Sequence, residues 1–266
     1  MIVCKSPAEL ERMRPANVLV ADVLVELRGM VAPGVTTADL DRYAEKRVRA
    51  AGGVPAFKGY HGFPATLCIS VNEEVIHGIP GPRALREGDI ASIDLGVVLD
   101  GFFGDAAVTV PVGRISDEAA ELLRVTEEAL YHGIERARIG GRVSDIGHAV
   151  QRHVEAHGYS VVREFVGHGV GHALHEEPQV PNFGPAGRGP RLTEGMTLAI
   201  EPMVAMGKAA VKVLGDGWTA VTRDHSMAAH FEHTVAITGA GPVILTTPGG
   251  SGRAVPPGGR ERSGRG

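Results

Sequence analysis

The sequence predicts an α+β domain built from two related halves, with antiparallel strands on one side and helices segregated to the outer face. Three observations carry this. A ten-residue phrase occurs twice: Leu85-Arg86-Glu87-Gly88-Asp89-Ile90-Ala91-Ser92-Ile93-Asp94 and Leu192-Thr193-Glu194-Gly195-Met196-Thr197-Leu198-Ala199-Ile200-Glu201 share L-x-E-G-x-x-x-x-I followed by an acid, 107 positions apart. Each copy is preceded by two stretches of helical periodicity and followed by strand-like sequence. The echo then continues, with Asp100-Gly101-Phe102 returning as Asp216-Gly217-Trp218 and Asp105, before an apolar run, returning as Glu232. The halves span about 1–115 and 116–247. Two copies are too few for a solenoid, which needs about three, so a single pseudo-twofold domain over 1–248 is expected.

The elements follow in order. Ser6-Pro7-Ala8-Glu9 starts a helix, with Ser as cap, Pro in the first turn and Glu three residues past the cap. Leu10, Met13, Val20, Leu24 and Leu27 continue it at helical spacing, although Pro15 removes a backbone donor and predicts a kink or break. A second helix runs from Thr36 to Gly52-Gly53, with Leu40, Tyr43, Ala44 and Val48 on one face. Ser116 opens a long helix in the second half, and Ser144 a shorter one ending at Gly158. Residues 89–99 alternate, and Asp100-Gly101 is a strong two-residue hairpin signal. Residues 249–266 hold seven glycines, two adjacent prolines and four arginines without apolar periodicity, and are expected to form a disordered tail.

The composition of the 266 residues, 43% hydrophobic and 22% charged, is that of an ordinary soluble domain. A net charge of -4 gives no basic surface for nucleic acid or membrane. Cys4 and Cys68 form no metal-binding or redox pair, which suits a reducing, cytoplasmic setting. Residues 5–14 are too charged for a signal peptide, and no apolar run approaches the roughly 18 residues of a membrane span.

The chemistry lies in the acids. In the Asp100-Gly101 hairpin register Asp94 faces Ala107, and Asp105, two positions from Ala107, points to the same face. Two carboxylates so placed repel when buried, and need a shared proton or a cation between them. A shared proton would make an acid–base dyad. Metal suits the wider set better, because Glu201 and Glu232 take the matching positions of the second half, and the pseudo-twofold would bring all four to one centre. Four carboxylates and an imidazole balance two divalent ions, and oxygen-rich ligation favours Mn, Fe, Co or Zn. Of the histidines, His132, His148, His153 and His157 fall on helices as surface or packing residues, whereas His168 stands between glycines that allow close backbone approach.

Six segments together resemble the bacterial-type methionine aminopeptidases, of the pita-bread fold: Asn72-Glu73-Glu74-Val75-Ile76-His77-Gly78-Ile79-Pro80, Ile93-Asp94 through Asp105, Gly167-His168-Gly169-Val170-Gly171, His175-Glu176-Glu177-Pro178, Ile200-Glu201-Pro202-Met203 and Glu232-His233-Thr234. The resemblance covers residues 2 to about 247. It implies two divalent ions held by Asp94, Asp105, His168, Glu201 and Glu232, with Asp105 and Glu232 bridging them and Glu201 also accepting the proton of the bridging water. It implies that His77 hydrogen-bonds near the scissile amide and that His175 steadies the oxyanion. Tyr60, Phe63, Cys68 and Trp218 would wall a pocket for the methionine side chain. Phe63, Phe57 and Leu174 stand at pocket positions that vary, and His172 and His230 receive no ligand role.

The implied activity is removal of initiator Met from nascent chains that carry a small uncharged second residue. The implied partners are those N-termini, with ribosome association a further expectation; a cytoplasmic monomer with no nucleic-acid or membrane partner is expected. Two other readings share the fold. One is a proline-specific peptidase, a group that usually carries an N-terminal domain for which the helix start at Ser6 leaves no room. The other is a binding protein without metal, a group that loses ligands which this chain keeps.

Overall fold

The computed structural model describes residues 1–250 and 252–254. Helices α1 (Pro7–Met30) and α2 (Thr37–Ala50) form the first pair, α3 (Asp117–Arg136) and α4 (Val143–Ala156) the second. The start of α1 is closed reciprocally: Ser6 Oγ accepts from Glu9 N at 3.3 Å, and the Glu9 carboxylate accepts from Ser6 N at 2.8 Å. Thr36 with Asp39 does the same for α2.

Six strands carry the centre of a ten-stranded antiparallel sheet: β1 (Leu67–Val71), β2 (Ile90–Leu99), β3 (Phe102–Pro111), β4 (Gly167–Gly169), β5 (Thr197–Ile200) and β6 (Glu232–Thr238). Their order is β1-β2-β3-β6-β5-β4, so each strand of the first half is matched by one of the second across the β3–β6 seam. The predicted duplication is thus a near-palindrome in space. The β2–β3 hairpin has the predicted register, with Asp94 opposite Ala107, and its turn residues Asp100 and Gly101 both have positive φ, 51° and 79°. In the second half β5 and β6 are joined instead by residues 201–231, which contribute strands to two three-stranded sheets, so the β2–β3 hairpin has no counterpart between β5 and β6.

Alternation along β2 sends Ile93, Leu95 and Val97 into a core with Leu19, Val23, Leu27 and Leu40 of α1 and α2. A second core joins Leu122, Leu130, Ile146 and Val150 of α3 and α4 to Leu198, Ile200 and Val235. The helices therefore cover one face, and residues of opposite parity, Asp94 among them, turn to the other. Gly104 lets α1 lie directly on β3: a Cβ there would sit 2.8 Å from the Ala16 backbone carbon.

Two expectations are corrected. Helix α1 runs through Pro15 unbroken; Pro15 and Glu11, whose carbonyl loses its donor, are both exposed. Helix α4 is capped at Arg142, whose backbone N–H donates to Asp145 at 2.7 Å, not at Ser144, whose hydroxyl accepts from Arg188 N at 2.6 Å. The expected tail 249–266 lies largely outside the described residues. At its near end Arg253–Ala254 pair with Val243–Ile244, because that strand offers an edge with free backbone groups.

Candidate metal centre

Four strand positions and one just beyond a strand end deliver the acids and the imidazole. Asp94 lies mid-β2, Asp105 in β3, Glu232 at the start of β6, Glu201 just past β5 and His168 mid-β4. Ala107 pairs with Asp94 on one side and Glu232 on the other, and its small side chain leaves the space between the acids open. Donor atoms of Asp105, His168 and Glu232 lie within 4.8 Å of one another. His168 Nε2 stands 3.5 Å from Glu201 Oε1 and 3.9 Å from Asp105 Oδ2. Its Nδ1 donates to the Gly169 carbonyl at 2.9 Å, which fixes the tautomer and leaves the Nε2 lone pair facing the acids. Glycine is required on both sides, since a Cβ at Gly167 or Gly169 would lie 2.4 Å from a backbone oxygen.

This cluster lacks the partners a buried acid needs. Asp94 Oδ1, Asp105 Oδ1 and Glu232 Oε1 are buried without a hydrogen bond among the described residues. Burial raises the Asp94 pKa to about 7 and that of Glu201 to about 8. Burial first, then the neighbouring carboxylates, push Asp105 and Glu232 well above the ordinary range. His168, with its pKa lowered to about 4 by burial and then by His175, is neutral at pH 7. Unsatisfied acid oxygens around a neutral imidazole are the donor set of divalent ions, so the residues present fit such a group.

The acids form the floor of a cavity of about 390 Å³. Every residue assigned a role from the sequence lines it: Asp94, Asp105, His168, Glu201, Glu232, His77, His175, Tyr60, Phe63, Cys68 and Trp218, with Phe57 and Leu174 beside them. Tyr60 Oη meets His175 Nδ1 at 2.7 Å, and the His175 ring lies 4.3 Å from that of His168. Burial and then the charge of His61 lower the His175 pKa. His77 has φ 59° and is followed by Gly78, where a Cβ would lie 2.1 Å from the Ile69 carbonyl oxygen. Burial, with His230 and His175 adding to it, lowers the His77 pKa to about 4. Phe63 and Trp218 meet edge to face at 5.1 Å, and Cys68 pairs with Asp94 in the β1–β2 register. Burial, then the Asp94 charge, raises the Cys68 thiol, so it packs as a neutral wall.

Sequence reasoning missed part of the lining. Phe165 stacks edge to face on His77 at 5.6 Å, and Ile76 and Val166 complete the apolar wall. An aromatic just ahead of the Gly-His-Gly run was the available signal. His230 was given no ligand role, yet its buried Nε2 lies 3.6 Å from Glu201 Oε2 with no hydrogen-bond partner among the described residues. His172 stays outside, 3.4 Å from Glu9.

The fold and its acid-floored cavity define a metal-dependent hydrolase. The profile of metallopeptidase family M24 matches residues 11–239. Methionine aminopeptidase 1 of Bacillus subtilis is 55% identical over 246 residues, which are 92% of this chain and 99% of that protein. The crystal structure of the Thermotoga maritima methionine aminopeptidase superposes with a TM-score of 0.91 at 48% identity, covering 93% of this chain and all of that one. The Rickettsia prowazekii methionine aminopeptidase also gives a TM-score of 0.91, at 40% identity over 92% of this chain and 100% of its own. The chain belongs to metallopeptidase family M24 and, within it, to the methionine aminopeptidases.

Proposed function

We propose that the chain removes the N-terminal methionine from nascent proteins whose second residue is small and uncharged. The observation that carries this reading is the cluster of four carboxylates, Asp105, Glu201 and Glu232 buried and Asp94 half-buried, with a neutral imidazole beneath an aromatic cavity of about 390 Å³. Asp94, Asp105, His168, Glu201 and Glu232 would hold two divalent ions of the Co, Mn, Fe or Zn group. Bound there, the ions supply Lewis-acid polarisation and a water nucleophile at neutral pH. Glu201 takes the proton of the attacking water. Tyr60, its hydroxyl donating to His175 Nδ1, keeps the single imidazole proton on Nε2, where it meets the carbonyl oxygen as that oxygen gains charge. His77, neutral at pH 7, hydrogen-bonds at the scissile nitrogen. Phe63, Cys68 and Trp218, with the Tyr60 ring, hold the thioether away from water. The same reading gives one catalytic domain over 1–248, acting as a monomer in the cytoplasm on chains leaving the ribosome.

The test strips the protein with a chelator and returns Co, Mn, Fe or Zn, following both bound metal and hydrolysis of Met-Ala-Ser. Cleavage restored in step with about two ions per chain is the expected result. Cleavage only of a peptide with a large first residue and Pro second would establish the proline-specific alternative, and metal uptake without hydrolysis would replace catalysis with binding.

A further inference from the structure

Residues 171–176 form the turn that carries Leu174 and His175 into the cavity. The base of this turn is tied to the other end of the chain. The Lys5 ammonium, on a residue only 3% exposed, pairs with Glu176 Oε2. It also donates to the Val3 carbonyl at 3.2 Å. Glu176 Oε1 accepts from the backbone N–H groups of His172, at 2.6 Å, and Ala173, at 3.2 Å. Lys5 is itself held, its backbone N–H donating to Gly195 O at 2.7 Å. The fit is close: a Cβ on Gly171 would lie 2.2 Å from Lys5 Cε.

Buried ion pairs are costly to desolvate and add little net stability, but removing one partner strands a buried charge. This pair stands where orientation matters, because Glu176 directly follows His175. We propose that Lys5 and Glu176 are positioning residues that fix the 171–176 turn, so that His175 is presented to the substrate carbonyl. The inference rests on the role given above to His175. Lys5 enters this site from a sequence separation of 171 residues, as part of the segment leading into α1.

The experiment uses the full chain loaded with metal, as wild type, Lys5→Met, Glu176→Gln and the double variant. Val48→Ala, a core change away from the site, serves as the stability control. Lys5→Met should lower kcat on Met-Ala-Ser by about tenfold to a hundredfold with KM within about twofold. Amide exchange at His172 and Ala173 should quicken in the same variant. The double variant, in which Gln still accepts from both amides and no charge is stranded, should recover most of kcat. Wild-type kcat in Lys5→Met, unchanged exchange at both amides, or an equal kcat loss in Val48→Ala would overturn the proposal, as would a double variant no better than Lys5→Met. Failure of the aminopeptidase reading shows separately, as a wild-type protein that leaves Met-Ala-Ser intact; the exchange at His172 and Ala173 still reports the tether.

Discussion

Removing metal from this protein should make its stability fall as pH rises above neutrality. Asp94, Asp105, Glu201 and Glu232 keep their protons in the metal-free fold, at pKa values of about 7 for Asp94 and about 8 for Glu201, with Asp105 and Glu232 also well above the ordinary range. In the unfolded chain all four ionise near about pH 4. A group whose folded pKa is raised contributes stability that is present at low pH and lost as pH climbs through the folded value. Below about pH 7.5 the effect is offset, because the lowered pKa values of His77, His168, His175 and His230 make the unfolded chain the better proton binder at those sites. The clean window is therefore about pH 7.5 to 8.5, a unit or more above the unfolded histidine pKa of about 6.5, where the histidines are nearly all neutral in both states. Each proton held only by the folded chain gives a slope of about 1.4 kcal/mol per pH unit, so two give roughly 3 kcal/mol per unit. That is large against a typical domain stability of about 5–15 kcal/mol. Urea midpoints of chelated protein across the window, with and without metal restored, measure it. The loaded protein, whose ligands are ionised throughout, should be nearly level, and Glu232→Gln should flatten the metal-free curve by about one proton. A metal-free midpoint that stays level or climbs with pH would refute the reasoning.

Asp105→Ala and Glu232→Ala should each cut Met-Ala-Ser turnover by more than about a hundredfold while circular dichroism shows a folded chain; near-normal rates after stripping and metal return would sink the two-ion mechanism. Tyr60→Phe removes the 2.7 Å contact with His175 and should lower kcat about fivefold, as befits one hydrogen bond of about 1 kcal/mol, and steady-state kinetics with an unchanged kcat would remove Tyr60 from the oxyanion function. Gly147→Ala, at a residue that does not line the cavity, would set a Cβ 2.1 Å from the Pro181 carbonyl oxygen and should cost about 1–3 kcal/mol in urea unfolding; a midpoint equal to wild type would mean that the 181–183 segment gives way freely.

Much of the architecture was legible because it is local or repeated. The caps at Ser6, Thr36 and Ser116, the Asp100-Gly101 turn and the register that sets Asp94 opposite Ala107 depend on neighbours in the chain, and each formed as expected. The Ser144 expectation failed because two residues competed for one task. Asp145 bonds back to the Arg142 N–H and so starts α4 earlier, while Arg188, 44 residues away, takes the Ser144 hydroxyl. Sequence alone also marked the acids, since a carboxylate in an apolar strand that recurs in register has no role in folding that an apolar residue would not fill better.

Only the tertiary structure decided what surrounds those acids. Pairing β3 with β6 turned two similar halves into one centre and placed Glu232 beside Ala107. Packing brought His230 to Glu201 and Lys5 to Glu176, partners distant in sequence that no local pattern announces. The repeated phrase determined which residues would be acidic and which way they would face, because parity along a strand is local. Their raised pKa values and their readiness for metal were set only when the sheet closed around them, since desolvation and charge repulsion depend on every neighbour at once.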